Sequence, residues 1–303
     1  VDGTHAIGVD LGGTKILAGV VTRAGEIVRR HERPTPTDSQ DALARELVIA
    51  VHELMGDDVA AIGLGVPGPI DLESGRTYDM VNLPFHNFPL RGHMVERFGR
   101  PVGLDNDANA ASIAEWRVGA GRGVDDLVML TLGTGLGGGV ISQGVPFRAG
   151  GRGAELGHVV IVHNGRRCQG SCLGRGHLEP YVTGLTATKA AQDAFGPAAD
   201  ARSLVEFADE GDERARAILA EIGSYLGSGM GSFANLFAPE LIVIGGGFGV
   251  AAWTHLMPTA EAIMRREALL PMRERVRVVR AELGTSAGLI GAAFVGFEAL
   301  DAA

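Results

Sequence analysis

The 303 residues include 36 acidic and 27 basic side chains, a formal net charge of −9, with 46% hydrophobic and 21% charged residues. That balance argues against a nucleic-acid surface, which is normally basic, and no apolar run reaches the roughly 18 residues of a membrane span. The length favours two domains, and two cysteines, Cys168 and Cys172, do not make a disulfide framework. A strand pattern already under way at Ala6 leaves no room for a leader, so a cytoplasmic protein is expected.

In chain order, residues 7–21 and 26–32 predict a hairpin followed by a third strand. A helical pattern runs over about 38–55, with Leu43, Leu47, Ala50, Val51 and Leu54 on one face. Residues 61–66 read as a buried strand ended by Pro67-Gly68-Pro69, 90–98 as a helix and 102–104 as a short strand. A further helix starts near Asp107 and ends between Trp116 and Gly119. The second half restarts the plan with a hairpin at 128–141 and a third strand at 158–162. A loop rich in Gly, Arg and Cys leads to helices near 183–195, 203–209 and 212–236. Strand 240–245, helix 253–267, strand 276–281 and helix 287–300 complete it. An offset of 121 lays Leu11-Gly12 on Leu132-Gly133, a weak match of the kind a duplicated βββαβα unit leaves. The expected fold class is therefore α/β, two lobes around a cleft with ligands at the strand ends. The small lobe is expected at 1–117 plus 287–303, and the large lobe at 118–286.

Glycine occupies 46 positions, much of it at turn signals. Asp10-Leu11-Gly12-Gly13-Thr14-Lys15 closes the first hairpin, where glycine would supply a positive φ and successive bare N–H groups could line an anion site. Asp10, at the strand end, suits Mg²⁺ held directly or through water beside nucleotide phosphates. A plain glycine hairpin would look similar. A dinucleotide fingerprint does not fit, because residues 16–21 continue as strand where a helix would have to open. The second turn runs from Gly133 to Gly139 with five glycines in seven positions. Such a run weakens a strand unless the backbone must approach something closely; a polyphosphate fits, with Thr134 as hydroxyl donor beside Gly135.

Between the turns, Asp105-Asn106-Asp107 puts three polar groups where a buried strand gives way to a helix. A helix cap accounts for one of them. Moving a phosphoryl group to a hydroxyl needs a carboxylate to take the proton; Asp107 is the candidate base, Asn106 orients the acceptor, and Asp105 is the alternative base. Glu155, His158 and Glu179 would suit the vicinal hydroxyls of a polyol. His158, Cys168, Cys172 and His177 have ligand spacing for tetrahedral Zn²⁺, with His163 as a competing ligand and a metal-free loop as the alternative.

These residues carry a resemblance to the ROK family (repressors, open reading frames, kinases) and, within it, to the bacterial glucokinases. It rests on Asp10 to Lys15, Gly65-Val66-Pro67-Gly68-Pro69, Asp105 to Ala111, Gly133 to Gly139, Glu155 to His158 and Leu178-Glu179, and covers essentially the whole chain. The resemblance implies the actin-like ATPase and sugar kinase fold, ATP with Mg²⁺, and transfer to the 6-hydroxyl of a hexose, glucose above others. It implies Asp107 as base, with Asn106, Glu155, His158, Glu179 and Gly68 on the sugar side. Gly12, Gly13, Thr14, Lys15, Thr134 and Gly135 would then lie on the phosphates and Gly246 and Gly247 at the adenosine-side turn. The C-terminal helix is expected to pack back on the N-terminal lobe, the lobes to close on sugar, and the chain to form a homodimer or higher assembly.

One departure concerns metal. The family motif is similar to Cys-x-Cys-Gly-x-x-Gly-Cys-x-Glu, whereas Cys168 and Cys172 are two positions farther apart and His177 stands where the third Cys belongs. Structural Zn²⁺ on this set would fix the His158 ring so that its other nitrogen faces the sugar. Mannose, fructose, an N-acetylated hexosamine, or polyphosphate as donor remain alternatives, and Asn82-Leu83-Pro84-Phe85 is expected near the sugar. A sugar-responsive regulator is the remote alternative, since only six residues precede Ile7 and regulators carry a DNA-binding segment there.

Overall fold

The computed structural model describes residues 4–80, 83–151, 153–170 and 172–303; Asn82 lies outside them. The chain divides into two compact units, Val1–Arg122 with Pro146–Ala154 and Thr285–Ala303, and Gly123–Val145 with Glu155–Gly284.

Unit 1 begins with β1 (His5–Leu11), β2 (Lys15–Thr22), β3 (Ile27–Pro34), α1 (Gln40–His52) and β4 (Val59–Val66). A small hairpin of β5 (Ile70–Asp71) and β6 (Arg76–Thr77) precedes α2 (Leu90–Phe98), β7 (Val102–Asn106) and α3 (Asp107–Val118). The sheet order is β3-β2-β1-β4-β7, antiparallel through the hairpin side and parallel from β1 to β4 to β7. Ser39 caps α1 by accepting from the Ala42 amide, and the apolar stripe Leu43, Leu47, Ala50 and Val51 is buried in the core with Val9, Ile62 and Leu64. β4 is buried along its whole length, as a central parallel strand covered on both faces must be.

Unit 2 opens with β8 (Leu127–Leu132) and β9 (Leu136–Ser142), and the short β10 (Val145–Pro146) begins at its last residue before the chain passes to unit 1. Helices α4 (Glu179–Val182), α5 (Gly184–Phe195), α6 (Ala201–Asp209) and α7 (Glu213–Phe237) lead to β11 (Leu241–Gly245). Then come α8 (Gly247–Ala251), α9 (Trp253–Glu267), α10 (Met272–Arg275) and β12 (Arg277–Arg280). The order β10-β9-β8-β11-β12 repeats the connectivity of the first sheet, with β8–β9 antiparallel and β8–β11–β12 parallel. The last helix, α11 (Ala287–Asp301), returns to unit 1 and packs on β1, β4, β7 and α3. Among the described residues no helix is long and apolar enough to cross a membrane.

The third strand of the second half is not at 158–162. A two-residue turn at Gln143-Gly144, with φ of 53° and 69°, returns the chain at once to form β10 in that place. Residues 156–158 form a single 3₁₀ turn, and Val160 bridges His177 outside the sheet. Residues 146–154 group with unit 1, whereas the sequence reading put 118–286 together; Arg148 there is ion-paired to Asp105 and Glu298.

Much of the glycine also has a use other than turns. Gly19, Gly8, Gly63 and Gly103 stand side by side across β2, β1, β4 and β7. Helix α11 crosses this row with its backbone against Gly8, Gly63 and Gly103: a Cβ on Gly63 would fall 1.7 Å from the Ala292 carbonyl oxygen, and one on Gly8 2.0 Å from that of Leu289. A bare seam is what allows a helix to settle that close to a sheet.

Candidate active site

In unit 1 the β1–β2 turn is closed by the Gly12 amide donating to the Lys15 carbonyl at 2.9 Å, and the Thr35 hydroxyl donates to the Gly12 carbonyl at 2.8 Å. Neither Gly12 nor Gly13 has a positive φ, which corrects the turn argument made for them; Gly133 and Gly135, expected to serve close approach of a ligand, also have ordinary φ. The turns are wide enough to close with ordinary dihedrals. Gly13 meets nothing within 4 Å of an added Cβ, so no protein contact demands glycine there. Its exposed backbone, beside exposed Thr14, suits a ligand from outside. Lys15 turns toward β3, with its ammonium 2.8 Å from Glu32 in a half-exposed pair.

Asp10 is the penultimate residue of β1, between Leu17 and Gly65. Burial pushes its carboxyl up to about 6, with Lys15 partly opposing. The first turn of α11 abuts it: a Cβ on Gly288 would fall 2.4 Å from Asp10 Oδ2. A dipositive ion would relieve the burial cost of this carboxylate, so the residue fits the metal-holding part. Gly288 went unnoticed in the sequence, because only the helix packing brings it to Asp10. Gly68, in the turn after β4, has φ of +89°, a conformation that favours glycine.

The β7–α3 junction separates the three polar residues. Asn106 is the N-cap of α3, its Oδ1 accepting from the Ala108 and Asn109 amides at 2.9 and 3.2 Å. Its side-chain NH₂ is thereby oriented away from the helix, available to donate to an acceptor. Asp105 is fully buried, its Oδ1 accepting from the Asn106 amide at 2.8 Å and Asn109 Nδ2 at 3.1 Å. Its Oδ2 accepts from Arg148 Nε at 2.5 Å. Asp107 opens the helix half-buried, with Oδ1 accepting from the Ala108 amide at 2.8 Å. Of the two carboxylates, Asp107 alone reaches solvent. Nothing in the sequence pattern pointed to Arg148, 43 residues away in a glycine-rich loop.

In unit 2 the structure gathers most of the remaining candidates. The exposed Thr134 sits in the β8–β9 turn, where the Gly133 amide donates to the Gly135 carbonyl at 2.9 Å. Glu179 reaches the same turn, its Oε1 accepting from the Leu136 amide at 3.1 Å, and a Cβ on Gly135 would fall 2.9 Å from that oxygen. The N-terminus of α5 joins it through the Gly184 amide and the Gly133 carbonyl at 2.8 Å. Gly246, with φ of +79°, lies on the end of β8, where a Cβ would fall 2.4 Å from the Leu132 carbonyl oxygen. Gly247 opens α8 with nothing nearby. Glu155 and His158 are exposed at the 3₁₀ turn of residues 156–158.

His158, Cys168, Cys172 and His177 converge, with one ligand atom from each all within 4.8 Å of one another. The two Nδ1 atoms are 3.1 Å apart, Cys168 Sγ is 3.6 Å from His158 Nδ1, and Cys172 Sγ is 3.7 Å from His177 Nδ1. Donors around tetrahedral zinc are separated by about 3.3–3.8 Å, as Zn–N and Zn–S lengths of about 2.0–2.3 Å require. The two sulfur–nitrogen separations lie in that range and the paired Nδ1 atoms are slightly closer, so the donor set is of the kind a Cys₂His₂ centre uses, and His163 is outside it. Without metal, burial foremost and the neighbouring Cys172 thiol push Cys168 up to about 12. Cys168 also lies 3.6 Å from Glu179 Oε2, which ties this centre to the glycine turn.

The ROK family profile matches residues 6–297. A glucokinase of Thermotoga maritima is 34% identical over 310 residues, covering 95% of this chain and 96% of that protein. An N-acetyl-D-glucosamine kinase of Escherichia coli O127:H6 is also 34% identical, covering 95% and 98%. The crystal structure of a ROK family glucokinase from Streptomyces griseus in complex with glucose and AMPPNP superposes with a TM-score of 0.82 at 32% identity, covering 97% of this chain and 99% of that one. The two like-connected sheets are thus those of the actin-like sugar kinase fold. Profile, relatives and fold agree along nearly the whole length: the chain belongs to the ROK family, as one of its sugar kinases.

Proposed function

We propose that the protein transfers the γ-phosphoryl group of ATP to the 6-hydroxyl of a hexose, with glucose as substrate and Asp107 as general base. The observation that carries this is the β7–α3 junction, where Asp105 is consumed by a buried ion pair and Asp107 is left facing solvent. In the step, Asp107 takes the hydroxyl proton, the sugar oxygen bonds to phosphorus, and the bond from phosphorus to the ADP oxygen breaks. Asn106 donates to the sugar from its NH₂ group, while Glu155, His158, Glu179 and Gly68 supply further sugar contacts. Gly12, Gly13, Thr14, Lys15, Thr134 and Gly135 receive the phosphates, and Gly246 and Gly247 the adenosine side.

Asp10 would hold Mg²⁺, which neutralises developing charge on the phosphates. His158, Cys168, Cys172 and His177 would hold one zinc ion. Its use is structural: with Nδ1 turned to the metal, the exposed His158 ring presents Nε2 outward in a fixed orientation.

Asp107→Asn is expected to retain hexose binding and lose about three orders of magnitude in kcat, within the range of general-base catalysis. Near-normal turnover in a coupled assay would sink the assignment. The same assay run over glucose, N-acetylglucosamine, mannose and fructose, with ATP or polyphosphate, tests the substrate. N-acetylglucosamine is the second reading, because a kinase for it shares the same 34% identity with this chain as a glucokinase does.

A further inference from the structure

Asp105 and Arg148 are expensive to place. A carboxylate at 0% exposure loses several kcal/mol of hydration unless a cation and hydrogen bonds replace it. Here every replacement is present. The Asn106 amide and Asn109 Nδ2 donate to Oδ1, and Arg148 Nε donates to Oδ2. The other end of the same guanidinium donates to Glu298 Oε2 on α11 at 2.6 Å, and Arg117 of α3 stands 3.7 Å from Glu298 Oε1. Burial alone would depress the Arg148 guanidinium, but Asp105 and Glu298 outweigh it and hold it above its ordinary value.

The segment bearing Arg148 is itself pinned. Ala149, Gly150 and Gly151 have φ of 45°, 71° and 91°. The Leu72 amide donates to the Gly150 carbonyl at 3.3 Å, and Gly151 lies so close to β5 that a Cβ would fall 2.7 Å from the Ile70 carbonyl oxygen. A guanidinium fixed at its root by this loop and at its far end by α11 therefore grips the last turn of β7. The residues that follow directly are Asn106, whose amide is bonded to Asp105, and Asp107.

We infer that Arg148 is a positioning residue, which through the buried carboxylate of Asp105 fixes the strand-to-helix junction carrying Asn106 and Asp107. Arg148 touches no reacting atom; it acts through Asp105. This rests on the reading of Asp107 as the base. A base displaced by about an ångström can cost a hundredfold in rate, so the grip is a requirement of that chemistry and not only of folding.

Arg148→Met is expected to lower kcat about 10- to 100-fold with little change in KM for ATP. Arg148→Lys should fall between, since an ammonium can pair with one carboxylate but cannot bridge both in a fixed fork. The decisive measurement is a double-mutant cycle with Asp107→Asn. If Arg148 acts through the base, its loss costs little further turnover once Asp107 is gone. A purely structural role would reduce the remaining turnover by the same factor in both backgrounds, and that overturns the inference. A folded Arg148→Met protein with kcat within twofold of wild type also overturns it, while loss in Asp107→Asn would leave the base intact. Near-normal turnover of Asp107→Asn removes the base and the inference together. Should Arg148→Met fail to fold, the cycle is run with Arg148→Lys, whose retained charge avoids an unpaired buried carboxylate, and the same two outcomes decide.

Discussion

Replacing Asp10 by Asn should stabilise the ligand-free protein at neutral pH while impairing phosphoryl transfer. The carboxyl is raised from 3.8 to about 6, chiefly by burial. An acid with a raised folded-state pKa binds more protons folded than unfolded between those values. Stability therefore falls as pH rises from about 4 through 6, and the penalty is complete above that. At 1.36 kcal/mol per pH unit the full penalty is at most about 3 kcal/mol, and relaxation around Asn should leave a gain of about 1–3 kcal/mol at pH 8. Urea denaturation followed by Trp116 in a Trp253→Phe background reports on unit 1, since Trp116 lies on α3 and Trp253 in unit 2. The gain should shrink toward zero by pH 4. Equal stability differences at pH 4 and pH 8, or a less stable variant at pH 8, would refute the burial argument. Loss of activity without the pH-dependent gain would mean that Asp10 works without being held against its solvation.

Two further outcomes follow from packing and from the donor set. Purified protein should contain one zinc per chain and, with Co²⁺ instead, show the strong visible absorption of a tetrahedral thiolate site; Cys172→Ser should abolish both and weaken sugar binding about tenfold or more. Metal analysis finding none after loading would remove the centre. Gly63→Ala should destabilise unit 1 by more than about 3 kcal/mol, since its Cβ would meet backbone that cannot retreat as a side chain can. A melting temperature close to wild type would show that α11 can lift off the sheet at little cost.

Most helices and strands were legible from the chain because their determinants are local. The 3.6-residue spacing of Leu43, Leu47 and Val51, the cap at Asn106 and the apolar run ending at Pro67 act over a turn or less. The strand expected at 158–162 failed for an equally local reason, the tight Gln143-Gly144 return that had already supplied β10. The His and Cys cluster was legible as a spacing, but the convergence of its four donors required the loop to fold back and bridge at Val160 and His177.

By itself, then, the sequence determined the duplicated order of strands and helices, the two glycine turns and the identity of the polar groups at the β7–α3 junction. Which carboxylate at that junction is buried was decided by tertiary structure, because the answer depends on Arg148 arriving from a distant loop. The same holds for the glycine row. Gly8, Gly63 and Gly103 are unremarked single positions along the chain, and only pairing in register makes them one bare surface on which α11 can rest. Local periodicity encodes an element; desolvation and close approach depend on neighbours brought together only by the folded sheet.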